Sequence, residues 1–129
     1  MPRKKTATAR LKQPHSRFPR RSPELDAFVD QFLSTVCDTS RRYILELLAE
    51  PNEKDPSVPC ELRSGEIAEK LGLSSATTSE HLRLLANLHL VTARKQGTAV
   101  YYQLSSHMLV QVFLEFLQTL DQHYQKRSS

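Results

Sequence analysis

Hydroxyl side chains are concentrated in one short segment, Ser74-Ser75-Ala76-Thr77-Thr78-Ser79. Leu82, Leu85 and Leu88 follow at helical spacing, so this segment is predicted to open a helix with its hydroxyl groups opposite the leucines. Such groups suit a helix that enters the major groove of DNA end-on. The residues predicted to reach base edges or phosphates are Ser75, Thr77 and Ser79, with Arg83 reaching the DNA backbone farther along the exposed side.

Two short helices joined by a tight turn must position these hydroxyl groups. Ser64 is predicted to cap the first helix, and Gly72 is predicted to end it in the left-handed conformation. Ser74 is predicted to cap the second helix, which runs to about Leu88. Two helices joined in this way form a helix-turn-helix unit.

A β-hairpin is predicted directly after that unit. Residues 90–95 and 98–104 are rich in Val, Thr and Tyr, and Gln96-Gly97 supplies the turn between them. A hairpin that follows a recognition helix is a wing. Arg94, Lys95 and Thr98 lie beside its tip, where they are predicted to meet the flanking backbone or minor groove.

The residues before the helix-turn-helix are predicted to form two helices and a loop. Ser22-Pro23-Glu24 has the residue types that open a helix, and Asp38 is predicted to cap the next one. The inner face of that second helix is predicted to consist of Tyr43, Ile44, Leu47 and Leu48. Residues 51–62 contain three prolines and are predicted to be a loop that ends in a short strand.

A closing helix is predicted after Ser105 or Ser106, with an apolar stripe too wide for one small domain to cover. The stripe residues predicted to form a dimer interface are Leu109, Val112, Phe113, Phe116, Leu117 and Leu120. The alternative is that this helix packs on the first helix of its own chain. The predicted fold class is mainly α with a β-hairpin wing (α+β), a winged helix-turn-helix that forms a homodimer through its terminal helices.

The charge is unevenly distributed along the 129 residues. Residues 1–21 contain eight Lys and Arg and no acid, whereas the remainder has a net charge of −4. Residues 1–21 are therefore predicted to be a disordered basic arm that attracts phosphates, and 22–129 the DNA-binding and dimerisation domain. The alternative for the arm is a solvated leader without a partner. The sequence lacks a secretory signal and a membrane-spanning apolar run, so a cytoplasmic location without membrane contact is expected.

Four segments resemble the arsenical-repressor (ArsR/SmtB) family in order and spacing: SRRYILELL at 40–48, GEIAEKLGLS at 65–74, SEHLRLL at 79–85 and RKQGTAVYYQL at 94–104. The resemblance covers about residues 25–124. It implies a homodimeric repressor that leaves its double-stranded operator, expected to be palindromic, when a metal ion or another stressor binds. It also implies DNA-contact positions at Ser75, Ala76, Thr77, Ser79 and His89. His89 could instead be a core or inter-helix residue.

The sequence departs from the family at its recognition and metal positions. Ser75 stands where the family often has Gln, and Glu80 stands where it often has His or Arg, so the operator sequence does not transfer. The family's thiolate position holds Arg63, which cannot ligate a cation. The positions of its second metal site hold Ser106, Met108, Thr119 and Gln122. No metal site and no cofactor are therefore predicted, and the nature of any small-molecule or redox inducer stays open.

Cys37 and Cys60 leave a thiol-responsive repressor open as an alternative, provided that they approach each other. Cys37 is predicted to lie on the buried side of the first helix, and Cys60 is predicted to be exposed in the proline loop. The sequence offers no nucleophile elbow and no evident carboxylate pair, so an enzyme is not expected. A winged helix that binds proteins is the other alternative, favoured by Glu80 and by the acidic body.

Overall fold

The computed structural model describes residues 20–128, so most of the predicted basic arm lies outside the described residues. The described part forms five helices and three strands. In chain order they are α1 (Pro23–Val36), α2 (Thr39–Leu48), β1 (Leu62–Arg63), α3 (Ser64–Leu71), α4 (Ser75–Asn87), β2 (Val91–Gln96), β3 (Ala99–Leu104) and α5 (Met108–Ser128). The chain divides into two units, Met1–Asp30 and Gln31–Ser129.

The described end of the first unit contains the start of α1. Ser22 Oγ accepts a hydrogen bond from the backbone N–H of Leu25 at 3.1 Å, which confirms Ser22 as the predicted cap. Arg21 Nε lies 2.9 Å from Asp26 Oδ1. Because both side chains are exposed, we expect this ion pair to add little to stability.

The second unit contains the predicted helix-turn-helix, α3 and α4. Gly72 ends α3 with a φ of 69°, a left-handed conformation that glycine adopts without strain. Ser74 Oγ then accepts from the backbone N–H of Thr77 at 3.1 Å and caps α4. Asp38 caps α2 by accepting from the backbone N–H of Arg41 at 3.0 Å. These three predicted helix ends are confirmed.

The three strands form one antiparallel sheet in the order β1-β3-β2. β2 and β3 are the predicted wing, with Val91 opposite Leu104 and Gln96 opposite Ala99. β1 is the short strand predicted at the end of the proline loop, and its Leu62 lies opposite Tyr102. The sheet therefore ties the start of α3 to the base of the wing.

The core lies where α2, α3, α4 and the base of the wing meet. Its buried apolar residues are Val36, Ile44, Leu45, Leu48, Ile67, Leu82, Leu85, Leu88, Leu90, Val91 and Val110. The prediction for Tyr43 was wrong, because its side chain is 55% exposed and Leu45 is buried instead. None of the helices within residues 20–128 has the length and apolar character needed to span a membrane.

Candidate nucleic-acid interface

The recognition surface is defined here as the exposed side of α4. Ser75, Thr77 and Ser79 are all exposed in the first turns of this helix. On the opposite side, Leu82 and Leu85 are 0% exposed and anchor the helix in the core. The fold therefore presents the three predicted hydroxyl groups to solvent on a helix whose other face is fixed.

Thr78 does not belong to the recognition surface, although it lies within the hydroxyl-rich segment. Its side chain is fully buried, and its Oγ1 has no hydrogen-bond partner among the described residues. Its spacing from Leu82 and Leu85 is the sequence signal that places it on the inner face. The hydroxyl-rich segment is thus divided between the core and the solvent.

Arg83 is exposed on α4 but is already paired. Its Nε and NH2 atoms lie 3.0 and 2.5 Å from the two carboxylate oxygens of Glu80. The hydrogen bonds from Arg83 hold the pKa of the Glu80 carboxyl below its usual range. Glu80 therefore stays ionised and offsets the charge of Arg83, so the two residues present a nearly neutral pair rather than a free cation.

The two cations of the wing, Arg94 and Lys95, differ in whether a carboxylate pairs with them. Arg94 donates to both carboxylate oxygens of Glu61 at 2.8 and 2.9 Å, and its guanidinium lies 4.9 Å from the centre of the Tyr101 ring. Lys95 is exposed, and no carboxylate of residues 20–128 pairs with it. Thr98 is exposed in the turn at the wing tip. Of the two wing cations, Lys95 is therefore the one whose charge no carboxylate of residues 20–128 offsets, and it stays a predicted phosphate contact.

His89 lies at the joint between α4 and β2, where its φ is 60°. The backbone N–H of His89 donates to Ala86 O at 2.9 Å, and that of Leu90 donates to Leu85 O at 3.0 Å. These two bonds form a Schellman motif, which usually has glycine at the left-handed position. The imidazole is exposed, so His89 is not a core residue and stays available for the predicted DNA contact.

Replacing His89 with glycine should raise the free energy of unfolding by about 1 kcal/mol, because glycine adopts a positive φ without the steric cost of a Cβ. Chemical denaturation of the full chain measures this change. The matched control is Asn87→Gly in the last turn of α4, where φ is helical and glycine should lower the free energy of unfolding by about 1 kcal/mol. Equal destabilisation by both changes would contradict the prediction.

The apolar stripe of α5 divides between the core side and the solvent. Phe113 packs against Phe32 of the same chain, with ring centroids 5.7 Å apart at an angle of 87°. Leu117 is half-buried. The stripe residues that remain exposed on α5 are Leu109, Val112, Phe116 and Leu120. α5 thus contacts Phe32 of its own chain and still exposes four apolar side chains, and the dimer contact stays a prediction.

The two cysteines have burial opposite to the prediction. Cys37 is exposed, because α1 ends at Val36 and leaves Cys37 outside the core. Cys60 is half-buried against the core, and desolvation raises the pKa of its thiol. A raised pKa reduces the fraction of reactive thiolate, so the environment of Cys60 does not favour thiol chemistry.

Arg63 is exposed at the start of α3, where its Nε lies 3.6 Å from Glu66 Oε1. Within residues 20–128, no group of three or more His, Cys, Asp or Glu side chains is placed to hold a metal ion.

Comparison with known proteins identifies the class to which this fold and surface belong. The sequence profile described as "Bacterial regulatory protein, arsR family" matches residues 38–93. The transcriptional activator HlyU of Vibrio cholerae is 35% identical over 86 residues, which make up 63% of this chain and 79% of HlyU. The nodulation protein NolR of Rhizobium meliloti is 31% identical over 81 residues, 63% of this chain, and the chain spans 59% of the length of NolR.

A solved structure shows the same fold. It is the homodimeric winged helix-turn-helix DNA-binding domain of a possible ArsR-family transcriptional regulator from Mycobacterium bovis. The TM-score is 0.64 at 26% sequence identity, and the match covers 84% of this chain and 95% of that one. The protein is thus a winged helix-turn-helix DNA-binding transcription regulator. Within that class it belongs to the ArsR family, which confirms the family resemblance of the sequence.

Proposed function

We propose that this protein is a homodimeric repressor that reads a palindromic operator with α4 of each protomer. Ser75, Thr77 and Ser79 contact base edges in the major groove. The observation that carries this proposal is the exposure of these three hydroxyl groups on a helix anchored by fully buried leucines. Base readout requires side chains held in fixed positions, and a helix with a buried inner face provides them.

The exposed face of α5 supports the homodimer. Leu109, Val112, Phe116 and Leu120 recur at helical spacing and remain accessible in a single chain. Full burial of each large apolar side chain is worth about 1.5–3 kcal/mol, so a second copy of the same helix is a favourable cover. A two-fold dimer carries two recognition helices, which suits an operator with two related half-sites.

The charge arrangement supports different roles for the arm and the recognition surface: the arm attracts phosphates, and the recognition surface contacts bases. Arg83 and Arg94 are held by Glu80 and Glu61, so they approach a phosphate only by exchanging one anion for another. Lys95 and the basic arm, which lies largely outside the described residues, then provide most of the attraction to the DNA backbone. A carboxylate can accept from a cytosine amino group, so Glu80 is a further candidate for a base contact once Arg83 is displaced.

Selection of binding sites from a random pool of duplex DNA tests the proposal directly. The wild-type protein should enrich a palindromic site, and Ser79→Ala should bind that site more weakly and enrich a broader set of sequences. Loss of a base contact costs about 1–3 kcal/mol of discrimination. Ser106→Ala, at an exposed position before α5, is the matched control and should select the wild-type site. Failure of the wild-type protein to enrich any sequence would contradict the proposal.

Deletion of residues 1–21 should weaken binding to operator and to random duplex DNA by similar factors. The arm contains eight cations, and each one that contacts a phosphate makes the slope of log affinity against log salt more negative by about 0.9. The slope of the shortened protein should therefore be flatter. A full-length variant with all eight arm cations replaced by Gln is the control for chain length and should behave like the deletion. An unchanged slope in both variants would rule out the arm as a phosphate contact.

A further inference from the structure

A histidine on the inner side of α4 belongs to a polar cluster that the DNA-contacting surface does not include. His81 is 9% exposed, and its Nδ1 lies 3.1 Å from Arg41 NH1 on α2. Its Nε2 lies 4.0 Å from Asp38 Oδ1 at the N-terminal cap of α2. Residues 40 positions apart in sequence thus join the recognition helix to the start of α2.

Arg41 extends this connection to the end of α1. Its Nε donates to Thr35 O at 2.6 Å, so one guanidinium bonds both an end carbonyl of α1 and the imidazole of α4. Arg42 donates independently to the adjacent carbonyl of Val36 at 2.7 Å. The end of α1 would therefore keep one cation if Arg41 moved, whereas α4 would lose its hydrogen bond to α2.

The chemistry of the two partners fixes the protonation of His81 in this arrangement. A guanidinium has donors and no acceptor, so His81 Nδ1 must accept and the ring must be neutral, with its proton on Nε2. A protonated ring would present a second donor 3.1 Å from the guanidinium, and the two cations would repel each other.

The charged groups around His81 favour a rearrangement once the ring is protonated. Asp38 is the carboxylate on the Nε2 side, and it already accepts from the backbone N–H of Arg41, which holds the pKa of its carboxyl below the usual range. Glu80 on α4 itself is engaged with Arg83. α1 faces the cluster with the carbonyl of Thr35. An imidazolium is therefore drawn toward Asp38 and away from Arg41.

We propose that His81 is a positioning residue for DNA binding: its neutral ring accepts the Arg41 hydrogen bond that fixes α4 against the α1–α2 junction, and protonation breaks that bond and weakens DNA binding. The inference rests on the proposed function, because it concerns the orientation of the helix that reads the operator.

Two full-length variants separate this role from simple packing. His81→Asn keeps an acceptor near the position of Nδ1 and does not titrate, so it should bind DNA within about threefold of wild type at neutral pH. Arg41→Lys keeps the positive charge but loses the fork that reaches two acceptors, so it should bind about tenfold more weakly at neutral pH. His107→Asn, at an exposed position before α5, is the matched control.

The measurement is the affinity for a duplex selected by the wild-type protein, at about pH 7.5 and about pH 5.5. Thermal unfolding at both pH values confirms that each variant is folded. Wild type and His107→Asn should lose about tenfold more affinity on acidification than His81→Asn or Arg41→Lys. Parallel losses in wild type and His81→Asn, or wild-type affinity in Arg41→Lys, would overturn the positioning role.

Failure of the proposed function would be recognised separately in the same experiment. If the wild-type protein selects no duplex at neutral pH, the operator-binding proposal fails and the positioning role fails with it. If the wild-type protein selects a duplex and its pH profile matches that of His81→Asn, only the positioning role fails. If His81→Asn does not fold, Arg41→Lys alone tests the proposal. Its DNA affinity at neutral pH must be lower than that of wild type, and it must lose less affinity than wild type on acidification.

Discussion

Replacing Phe116 with aspartate should convert the protein to a monomer and lower its affinity for duplex operator DNA by about 100-fold or more. The side chain is 53% exposed in the middle of the apolar face of α5, between Val112 and Leu120. A carboxylate buried there against a second copy would lack a partner and would be strongly unfavourable. A monomer has one recognition helix, so it loses the avidity of two linked half-sites, which is commonly 100-fold to 10,000-fold, as an order of magnitude.

Sedimentation and DNA titration of the same samples measure both effects. The matched control is Gln118→Asp, an exposed polar position on the same helix but outside the apolar stripe. It adds the same charge and should keep the oligomeric state and affinity of the wild-type protein. A dimeric Phe116→Asp protein with wild-type affinity would show that α5 does not form the dimer contact.

Replacing Leu82 with alanine should lower the free energy of unfolding by about 2–5 kcal/mol. Leu82 is 0% exposed and anchors α4 in the core, so truncation removes buried surface and leaves a cavity beneath the recognition surface. This loss is a large share of the total stability of a domain of this size, which is about 5–15 kcal/mol. Operator affinity should fall as well, because the hydroxyl groups of α4 would no longer be held in fixed positions.

Leu84→Ala is the matched control for this substitution. Leu84 lies on the same helix and is half-buried, so the same truncation should cost clearly less stability. Denaturant unfolding and DNA binding are measured on both variants. Equal destabilisation by the two changes would show that Leu82 is not the anchor of α4.

Local signals made the helix ends and the wing predictable from the sequence. Asp38, Gly72 and Ser74 act through bonds or backbone angles that involve residues within four or five positions, so their types alone identify them. The hairpin was predictable for the same reason, since a glycine turn lies between two strands rich in Val, Thr and Tyr. The order of these elements then defined the winged helix-turn-helix.

Local residue types did not predict the contacts between residues that are far apart in sequence. Glu61 holds Arg94 across 33 positions, and Arg41 meets His81 across 40 positions. These pairs depend on how helices and strands dock, which spacing along the chain does not specify. Spacing along the chain therefore predicted Arg94 as a DNA contact but did not indicate the carboxylate that neutralises its charge.

The joint between α4 and the wing fixes a distance as well as a fold. α4 ends at Asn87 and β2 begins at Val91, and two of the three residues between them, Leu88 and Leu90, are buried in the core. Such a short, anchored connection leaves little freedom for the hairpin to slide or swing relative to the helix. In the proposed binding mode the protein therefore fixes the distance between two contacts along the duplex. The bases read by α4 and the flanking DNA met by Thr98 must therefore lie at a fixed separation. Inserting one base pair between them should weaken binding more than replacing an existing base pair there with another.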